Sequence, residues 1–96
     1  MTMNKYQLAI TSQFKKDIRR ALKRGKSKKK LDAAINRLLA GEALPAAMRD
    51  HELSGCYRDH RECHIEPDWF LIYRIDRGQL ILTAVRAGSH SDLFGE

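Results

Sequence analysis

The residues of this chain that could transfer protons are separated from those that could bind phosphate. All four histidines lie at or after position 51, whereas all eight lysines lie within the first thirty residues. Histidine gives and takes protons near neutral pH, and a carboxylate can do so when its surroundings tune its pKa. Lysine and arginine bind phosphate groups. This division suggests chemistry on a polyanion.

The segment from Arg61 to Tyr73 carries the strongest chemical signal. A charged stretch that includes His64 leads there into a block of β-forming residues, with Pro67 and Asp68 at the joint. Such groups can cleave RNA without a cofactor. A base removes the 2′-hydroxyl proton, the oxygen attacks the adjacent phosphorus, an acid protonates the leaving 5′-oxygen, and cations stabilise the added negative charge. The composition is compatible with this reaction but does not by itself identify it.

A metal site at His60, Cys63 and His64 would require a helix. Here the flanking residues are typical of a strand, in which four residues separate His60 from His64 by about 13 Å. That distance is too long for shared ligation with Zn–N bonds of about 2.1 Å. We therefore expect no metal site and no cofactor. Two cysteines without a CxxC spacing are expected to be reduced thiols.

Length and composition predict a single domain over residues 1–96. The chain is 43% hydrophobic and 31% charged, and it has no apolar run of the ~20 residues that a membrane span needs. We therefore expect a cytoplasmic protein without a membrane partner. The net charge is +9 over residues 1–50 and −3 over residues 51–96. A basic half is typical of proteins that bind nucleic acid, the ribosome or an acidic partner, although a solvated helix face has the same composition.

Two amphipathic helices are predicted after a short first strand over residues 6–10. Thr11 or Ser12 can cap the first helix and Ser27 the second, while Gly25 can end the first. The apolar positions at helical spacing are Phe14, Ile18, Ala21 and Leu22 in the first helix and Leu31, Ala34, Ile35, Leu38 and Leu39 in the second. We expect both helices to cover a sheet, with their apolar faces inward and their cations outward.

The second half of the chain is predicted to form strands. Residues 56–65 are mixed and extended, and residues 69–75 form an apolar run typical of a central strand covered on both faces. Gly78 is expected to take a positive φ in the hairpin turn that follows. Residues 80–86 then form the last strand and residues 87–96 a polar tail. The predicted fold is α+β, with the order β-α-α-β-β-β and two N-terminal helices on an antiparallel-rich sheet.

Spacing alone does not bring the candidate catalytic residues together. His51 could be a loop residue, His64 an ordinary strand residue, Asp68 a turn residue and His90 a tail residue, each without a role. They would converge if the loop before the second strand and the tail after the last strand folded over the same face of the sheet.

Six short motifs, in a fixed order, resemble those of a known family. They are Arg49-Asp50-His51, Leu53-x-Gly55, Arg61-Glu62-Cys63-His64-Ile65-Glu66-Pro67-Asp68-Trp69, Leu71-Ile72-Tyr73, Gly88-Ser89-His90 and Leu93-Phe94-Gly95. In order and spacing the chain resembles the YafQ-type toxins of the RelE superfamily, which are ribosome-dependent mRNA endonucleases. The helical half matches mainly in its layout and basic character.

The resemblance implies a RelE-like fold and cleavage of mRNA in the ribosomal A site. It implies a catalytic cluster of His51, His64, Asp68 and His90, with Phe94 in the same site. The assignment of base and acid among the histidines stays open, with Asp68 orienting or sharing the proton. It also implies neutralisation by a cognate antitoxin, through which alone the protein would bind operator DNA.

Several cations are candidates for RNA binding. On the two helices these are Lys15, Lys16, Arg19 and Lys28. They could instead dock an acidic antitoxin segment. Arg61 could bind phosphate or form a salt bridge with Glu62 or Asp59, and Trp69 is expected to pack in the core.

Residues 56–60 depart from the family pattern. Asp59 stands where a glycine is usual and adds a carboxylate near the expected RNA path, and His60 is an extra histidine without an assigned role. Two other functions remain open: a basic module that binds RNA without cutting it, and an inactive toxin that binds an antitoxin as a corepressor.

Overall fold

The structure is a computed structural model that describes residues 4–95. The helices and strands are β1 (Gln7–Ile10), α1 (Ser12–Lys23), α2 (Lys28–Leu39), β2 (His51–Glu52), β3 (Arg61–Glu66), β4 (Trp69–Asp76), β5 (Ile81–Gly88) and α3 (His90–Phe94). This arrangement confirms the predicted α+β class. None of the helices within residues 4–95 is long and apolar enough to cross a membrane.

One mixed sheet organises the described chain, with the strand order β1-β5-β4-β3-β2. Only the β1–β5 pair is parallel among the strand pairs of residues 4–95, so the sheet is antiparallel-rich as predicted. The central strand β4 is buried on both faces. Trp69, Leu71 and Tyr73 pack with the residues of α1 and α2, whereas Phe70 and Ile72 belong to a smaller cluster on the opposite face.

Both long helices begin at predicted caps. The Thr11 side chain accepts a hydrogen bond from the backbone N–H of Phe14, and Ser27 accepts one from that of Lys30. These bonds satisfy amide groups that lack a partner in the first turn of a helix. Gly25, with φ of +83°, follows the end of α1 as predicted.

The buried face of α1 differs from the prediction at one position. Phe14, Asp17 and Ala21 are its buried residues, and their i, i+3, i+7 spacing places them on one side of the helix. Leu22 was expected on this face but is 42% exposed. It follows Ala21 by one residue and therefore points about 100° away. The apolar pattern missed Asp17 because an aspartate is not expected in a core.

Asp17 is buried because β5 supplies partners for its carboxylate. Arg86 donates to it from Nε and Nη2, both at 3.1 Å, and the backbone N–H of Ala87 donates at 3.0 Å. Burial alone would raise the pKa of Asp17, but the hydrogen bonds from Arg86, Ala87 and Gln13 hold it below its usual value. Helix α1 is therefore fixed to the strand that leads into α3.

Two elements were not predicted. Strand β2 consists of His51 and Glu52 and pairs with β3. The expected polar tail instead contains helix α3, in which the Ser89 side chain accepts from the backbone of Asp92 and the Asp92 carboxylate accepts from the backbone of Ser89. This reciprocal cap starts a helix of only five residues, too short to show a periodic apolar pattern.

Two local predictions of backbone conformation were wrong. Gly78 does not take a positive φ in the turn after β4; Leu80 does, with φ of +56°. Residues 56–60 are not extended, because a 3-10 turn at Gly55–Tyr57 folds the chain before β3 begins at Arg61. Strand β5 also extends two residues beyond the predicted end, to Gly88.

Candidate active site

The structure brings the three predicted catalytic histidines into one series of neighbouring rings that includes Phe70. The ring centroid of His64 lies 4.6 Å from that of Phe70, which lies 5.3 Å from that of His90. His90 is 4.9 Å from Phe94, and His51 is 6.3 Å from His64. The two unpredicted elements make this convergence, because β2 carries His51 and α3 carries His90 and Phe94.

The backbone before β2 fixes the orientation of His51. Asp50 accepts a hydrogen bond of 2.5 Å from the buried Tyr73 hydroxyl and one of 3.1 Å from Arg61 Nε. Arg49 adopts a left-handed conformation, with φ of +48°, and its carbonyl oxygen lies 2.6 Å from His51 Nδ1. Because Nδ1–H donates to this oxygen, the neutral ring keeps its lone pair on Nε2.

Arg61 has different partners from those that the sequence suggested. Its guanidinium binds Asp50 at 3.1 Å and Glu52 at 3.5 Å, rather than Glu62 or Asp59. Burial would lower the pKa of Arg61, but its bond to Asp50 and the neighbouring Tyr73 raise it above the usual value. Arg61 therefore supports the position of His51, and its contact with RNA remains a prediction.

Glu62 is a residue of this cluster that the sequence reading missed. Its side chain is almost completely buried, and its Oε1 lies 3.6 Å from His51 Nε2 and 4.0 Å from His64 Nε2. Its Oε2 has no hydrogen-bond partner within residues 4–95. The sequence could have revealed Glu62, because residues two apart in a strand point to the same face and Glu62 precedes His64 by two.

His64 is the half-buried member of the histidine cluster. Burial is the main cause that lowers its pKa below 6.5; the Glu62 carboxylate opposes this, while Arg49, His51 and His90 add to it. The imidazole of His64 is therefore mostly neutral at pH 7 and able to accept a proton.

Asp68 and His90 meet where the β3–β4 turn approaches the start of α3. The backbone N–H of His90 donates to Asp68 Oδ1 at 3.4 Å, and both residues are exposed. The carboxylate is thus held at the residue that carries the imidazole. Trp69, the next residue, is 2% exposed and packs in the core as expected.

Three residues of this cluster could hold a metal ion. Each of His51, Glu62 and His64 offers a ligand atom, and these atoms lie within 4.8 Å of one another. Two imidazoles and a carboxylate form a donor set that suits Zn²⁺ or Cu²⁺. The unpartnered Oε2 of Glu62 is consistent with such a group. The set differs from the His60, Cys63 and His64 combination that the strand spacing argued against.

The cations predicted to bind RNA form an exposed basic surface on α1 and at the start of α2. Lys15, Lys16 and Arg19 are exposed along α1. Lys28 is exposed but donates to Asp32 at 2.8 Å, so part of its charge is neutralised. Arg24, near this surface, is 3.2 Å from Asp92 in α3. The basic helices are therefore linked to the element that carries His90.

Comparison with known proteins finds relatives over nearly the whole chain. Residues 6–95 match a protein family described as the bacterial toxin of type II toxin–antitoxin system, YafQ. The mRNA interferase toxin YafQ of Escherichia coli strain K12 is 37% identical over 89 residues, which cover 92% of this chain and 95% of that protein.

Solved structures share the same fold. A chain in the crystal structure of the E. coli DinJ–YafQ toxin–antitoxin complex is 36% identical, with a TM-score of 0.85 over 95% of this chain and 99% of that chain. The crystal structure of a metal-bound toxin from Helicobacter pylori is 36% identical, with a TM-score of 0.87 over 93% of this chain and 99% of that chain.

Proposed function

The chain belongs to the YafQ family of toxins of bacterial type II toxin–antitoxin systems, and from this membership we propose that it is a ribosome-dependent endoribonuclease. It cleaves mRNA in the ribosomal A site and so inhibits translation. The observation that carries the proposal is the convergence of the three histidines: His64 and His90 flank Phe70, and His51 lies next to His64. Glu62 lies near His51 and His64, and Asp68 lies at the backbone of His90. A module that only binds RNA would need cations and no such cluster.

We assign the base to the pair His51 and His64. Either neutral ring can accept the 2′-hydroxyl proton, because the bond to Arg49 leaves the His51 lone pair on Nε2 and burial keeps His64 neutral. The Glu62 carboxylate, near both Nε2 atoms, stabilises the imidazolium that forms. The 2′-oxygen then attacks the adjacent phosphorus.

We assign the acid to His90, on the other side of Phe70. As an imidazolium it protonates the 5′-oxygen that leaves, and Asp68 holds the residue in place through its backbone N–H. Phe94, with its ring next to that of His90, orients the nucleotides at the cut. The products are a 2′,3′-cyclic phosphate and a 5′-hydroxyl, and the site resets when the base histidine releases its proton to solvent and His90 takes one up.

The basic surface on α1 and α2 is proposed to bind ribosomal RNA. Exposed lysine and arginine gain affinity for a polyanion by releasing counterions, so this binding should weaken steeply with salt. Since the E. coli relative is found in a complex with the antitoxin DinJ, we propose that a cognate antitoxin neutralises this chain and that the chain reaches operator DNA only through that antitoxin. A ribosomal target places the protein in the cytoplasm.

We propose that the reaction does not depend on a metal. His51, Glu62 and His64 fit a divalent cation, and an H. pylori relative is metal-bound. A cation there would act as a Lewis acid and would occupy the ring nitrogens needed for proton transfer. The chain's own histidines suffice for both proton transfers in the proposed reaction.

Cell-free translation followed by primer extension on the mRNA tests the proposal. The wild-type protein should produce cuts within codons, and His64→Ala and His90→Ala should abolish them while leaving the circular dichroism spectrum unchanged. Inhibition of translation without cuts, equal in the wild type and both variants, would instead indicate an RNA-binding module. Tight antitoxin binding without any inhibition would indicate an inactive corepressor.

A further inference from the structure

The series of aromatic rings in the candidate active site continues beyond Phe94. The ring of Tyr57 lies 6.0 Å from that of Phe94, and the ring of His60 lies 5.9 Å from that of Tyr57. Neither Tyr57 nor His60 takes part in the proposed proton transfers. Both are half-buried, so each ring has one part packed and another part open to solvent.

The loop that carries these two rings has a defined backbone conformation. The N–H of Leu53 donates to the carbonyl of His60 at 2.9 Å and closes the loop at its base. Within it, the N–H of His60 donates to Tyr57 at 3.0 Å, and that of Arg58 donates to Gly55 at 3.1 Å. The loop therefore presents both rings without a large cost in ordering.

Contacts with the protein also fix the rings of Tyr57 and His60. Tyr57 packs against the apolar cluster of Phe70, Ile72 and Leu93. Asp17 holds Arg86 from α1 and is the main cause that raises the pKa of Arg86; burial opposes the rise, and Tyr57 adds to it. The Nδ1 atom of His60 lies 3.0 Å from the carbonyl oxygen of Arg58. Two flat rings are thus preorganised next to the residues that act on the substrate.

We propose that Tyr57 and His60 form a stacking subsite for an unpaired base of the mRNA, on the 3′ side of the cleaved phosphate. This inference rests on the proposed nuclease function. Unpaired RNA bases stack on tyrosine and histidine rings. The 3′ nucleotide carries the leaving 5′-oxygen and so lies next to His90, from which the rings of Phe94, Tyr57 and His60 continue.

The charges beside His60 suit the phosphate of that nucleotide. A cavity of about 380 Å³ is lined by His60, Arg58, Arg61 and Arg77, together with Glu52 and Asp59. Arg61 already neutralises Glu52 at 3.5 Å, so Arg58 and Arg77 are the cations to which a phosphate can add a new interaction. Stacking itself does not read base identity, so the subsite should add affinity for any base.

The substitutions that test the subsite separate ring shape from proton transfer. His60→Leu removes the flat ring, whereas His60→Tyr keeps a ring and removes the imidazole. Tyr57→Leu and Tyr57→Phe form a second pair, but Tyr57 also packs against the small apolar cluster of Phe70, Ile72 and Leu93. His60 is therefore the primary position, because its replacement leaves that cluster intact.

Cleavage is measured on ribosomes programmed with mRNA that carries an abasic site at each A-site codon position in turn. His60→Leu should raise KM about 5-fold to 100-fold on intact mRNA, with His60→Tyr within about 2-fold of the wild type. An abasic site 3′ to the cut should raise the wild-type KM similarly, and His60→Leu should add nothing further. The subsite would be overturned if the abasic site and His60→Leu raised KM independently, so that their effects added. An unchanged KM in His60→Leu would overturn it as well.

A binding measurement separates this inference from the nuclease itself. Wild-type protein that leaves every mRNA intact would refute the nuclease. The affinity for ribosomes programmed with 2′-O-methyl mRNA, which cannot be cut, still decides the subsite. Affinity that falls with an abasic site in the wild type but not in His60→Leu supports stacking, and equal affinities for all these mRNAs contradict it.

Discussion

Glu62 Oε1 lies 3.6 Å from Nε2 of His51, and the carboxylate that carries it is almost completely buried. Burying a carboxylate is costly unless a positive charge or hydrogen-bond donors compensate. His51 and His64 are the groups near Oε1 that can become positively charged. In the mechanism that we propose, the substrate proton is transferred to a ring next to this carboxylate.

The first prediction is that Glu62→Gln slows cleavage on the order of 10-fold to 100-fold without unfolding the protein. The amide keeps the shape of the side chain but no longer stabilises an imidazolium. Single-turnover cleavage on programmed ribosomes measures the change. Glu52→Gln is the matched control, because Glu52 is 82% exposed and should leave the rate unchanged. Equal rates in both variants would remove Glu62 from the mechanism.

The second prediction concerns the titration of His64. Its NMR midpoint should lie below 6.5, since burial lowers the pKa, and should fall further in Glu62→Gln because that carboxylate opposes the shift. A lower pKa in the folded state means that the unfolded chain binds the proton first. The His64 contribution should therefore reduce stability as pH falls below about 6.5. His64→Gln should flatten this dependence in urea denaturation; a midpoint above 6.5 would contradict the assignment.

The third prediction is that Asp17→Asn lowers the free energy of unfolding by about 3 kcal/mol. The change leaves the partly buried Arg86 without its anionic partner. Urea denaturation measures the loss. Asp32→Asn is the control, because its pair with Lys28 is exposed and should cost no more than about 0.5 kcal/mol. A similar small cost at both positions would show that the Asp17–Arg86 bond contributes little.

The fourth prediction is that Leu80→Gly raises the free energy of unfolding by up to about 1 kcal/mol. Leu80 has φ of +56° and is 45% exposed, so glycine relieves the backbone strain and loses little burial. Gly78→Ala is the companion change. Since Gly78 does not have a positive φ, alanine there should be neutral or slightly stabilising in thermal denaturation. A clear loss of stability in Gly78→Ala would indicate that Gly78 takes a positive φ in this turn, as the sequence predicted.

The fifth prediction is that a chelator selective for Zn²⁺ and Cu²⁺, added with Mg²⁺ in excess to keep the ribosomes intact, leaves cleavage unchanged, whereas added Zn²⁺ or Cu²⁺ inhibits it reversibly. Both ions suit the donor set of His51, Glu62 and His64 and would compete with protons for the ring nitrogens. Binding of the ion by isothermal titration calorimetry should weaken in Glu62→Gln. Cleavage that is lost with the selective chelator and restored by either ion would refute metal independence.

Local patterns in the sequence predicted the elements with regular, repeated features. The caps at Thr11 and Ser27 and the apolar run of β4 have such features. Strand β2 has two residues and α3 five, which is too few for a period to appear. His51 lies next to His64 and His90 next to Phe70, and both arrangements depend on contacts between distant parts of the chain. Residue spacing therefore could not predict that these side chains form one site, and that prediction came from the family resemblance.

The parallel pairing of β1 with β5 has a consequence for how the protein is made. Ile10 pairs with Ala84, so the first strand has no partner until residues 81–84 have been synthesised. Chains are made from the N-terminus, and contacts between distant residues form slowly. A nascent chain that stops before residue 81 carries its basic helices without a finished sheet. The sheet is thus completed only after residues 81–84 have been translated, and the candidate active site, which also needs His90, cannot form on a shorter nascent chain.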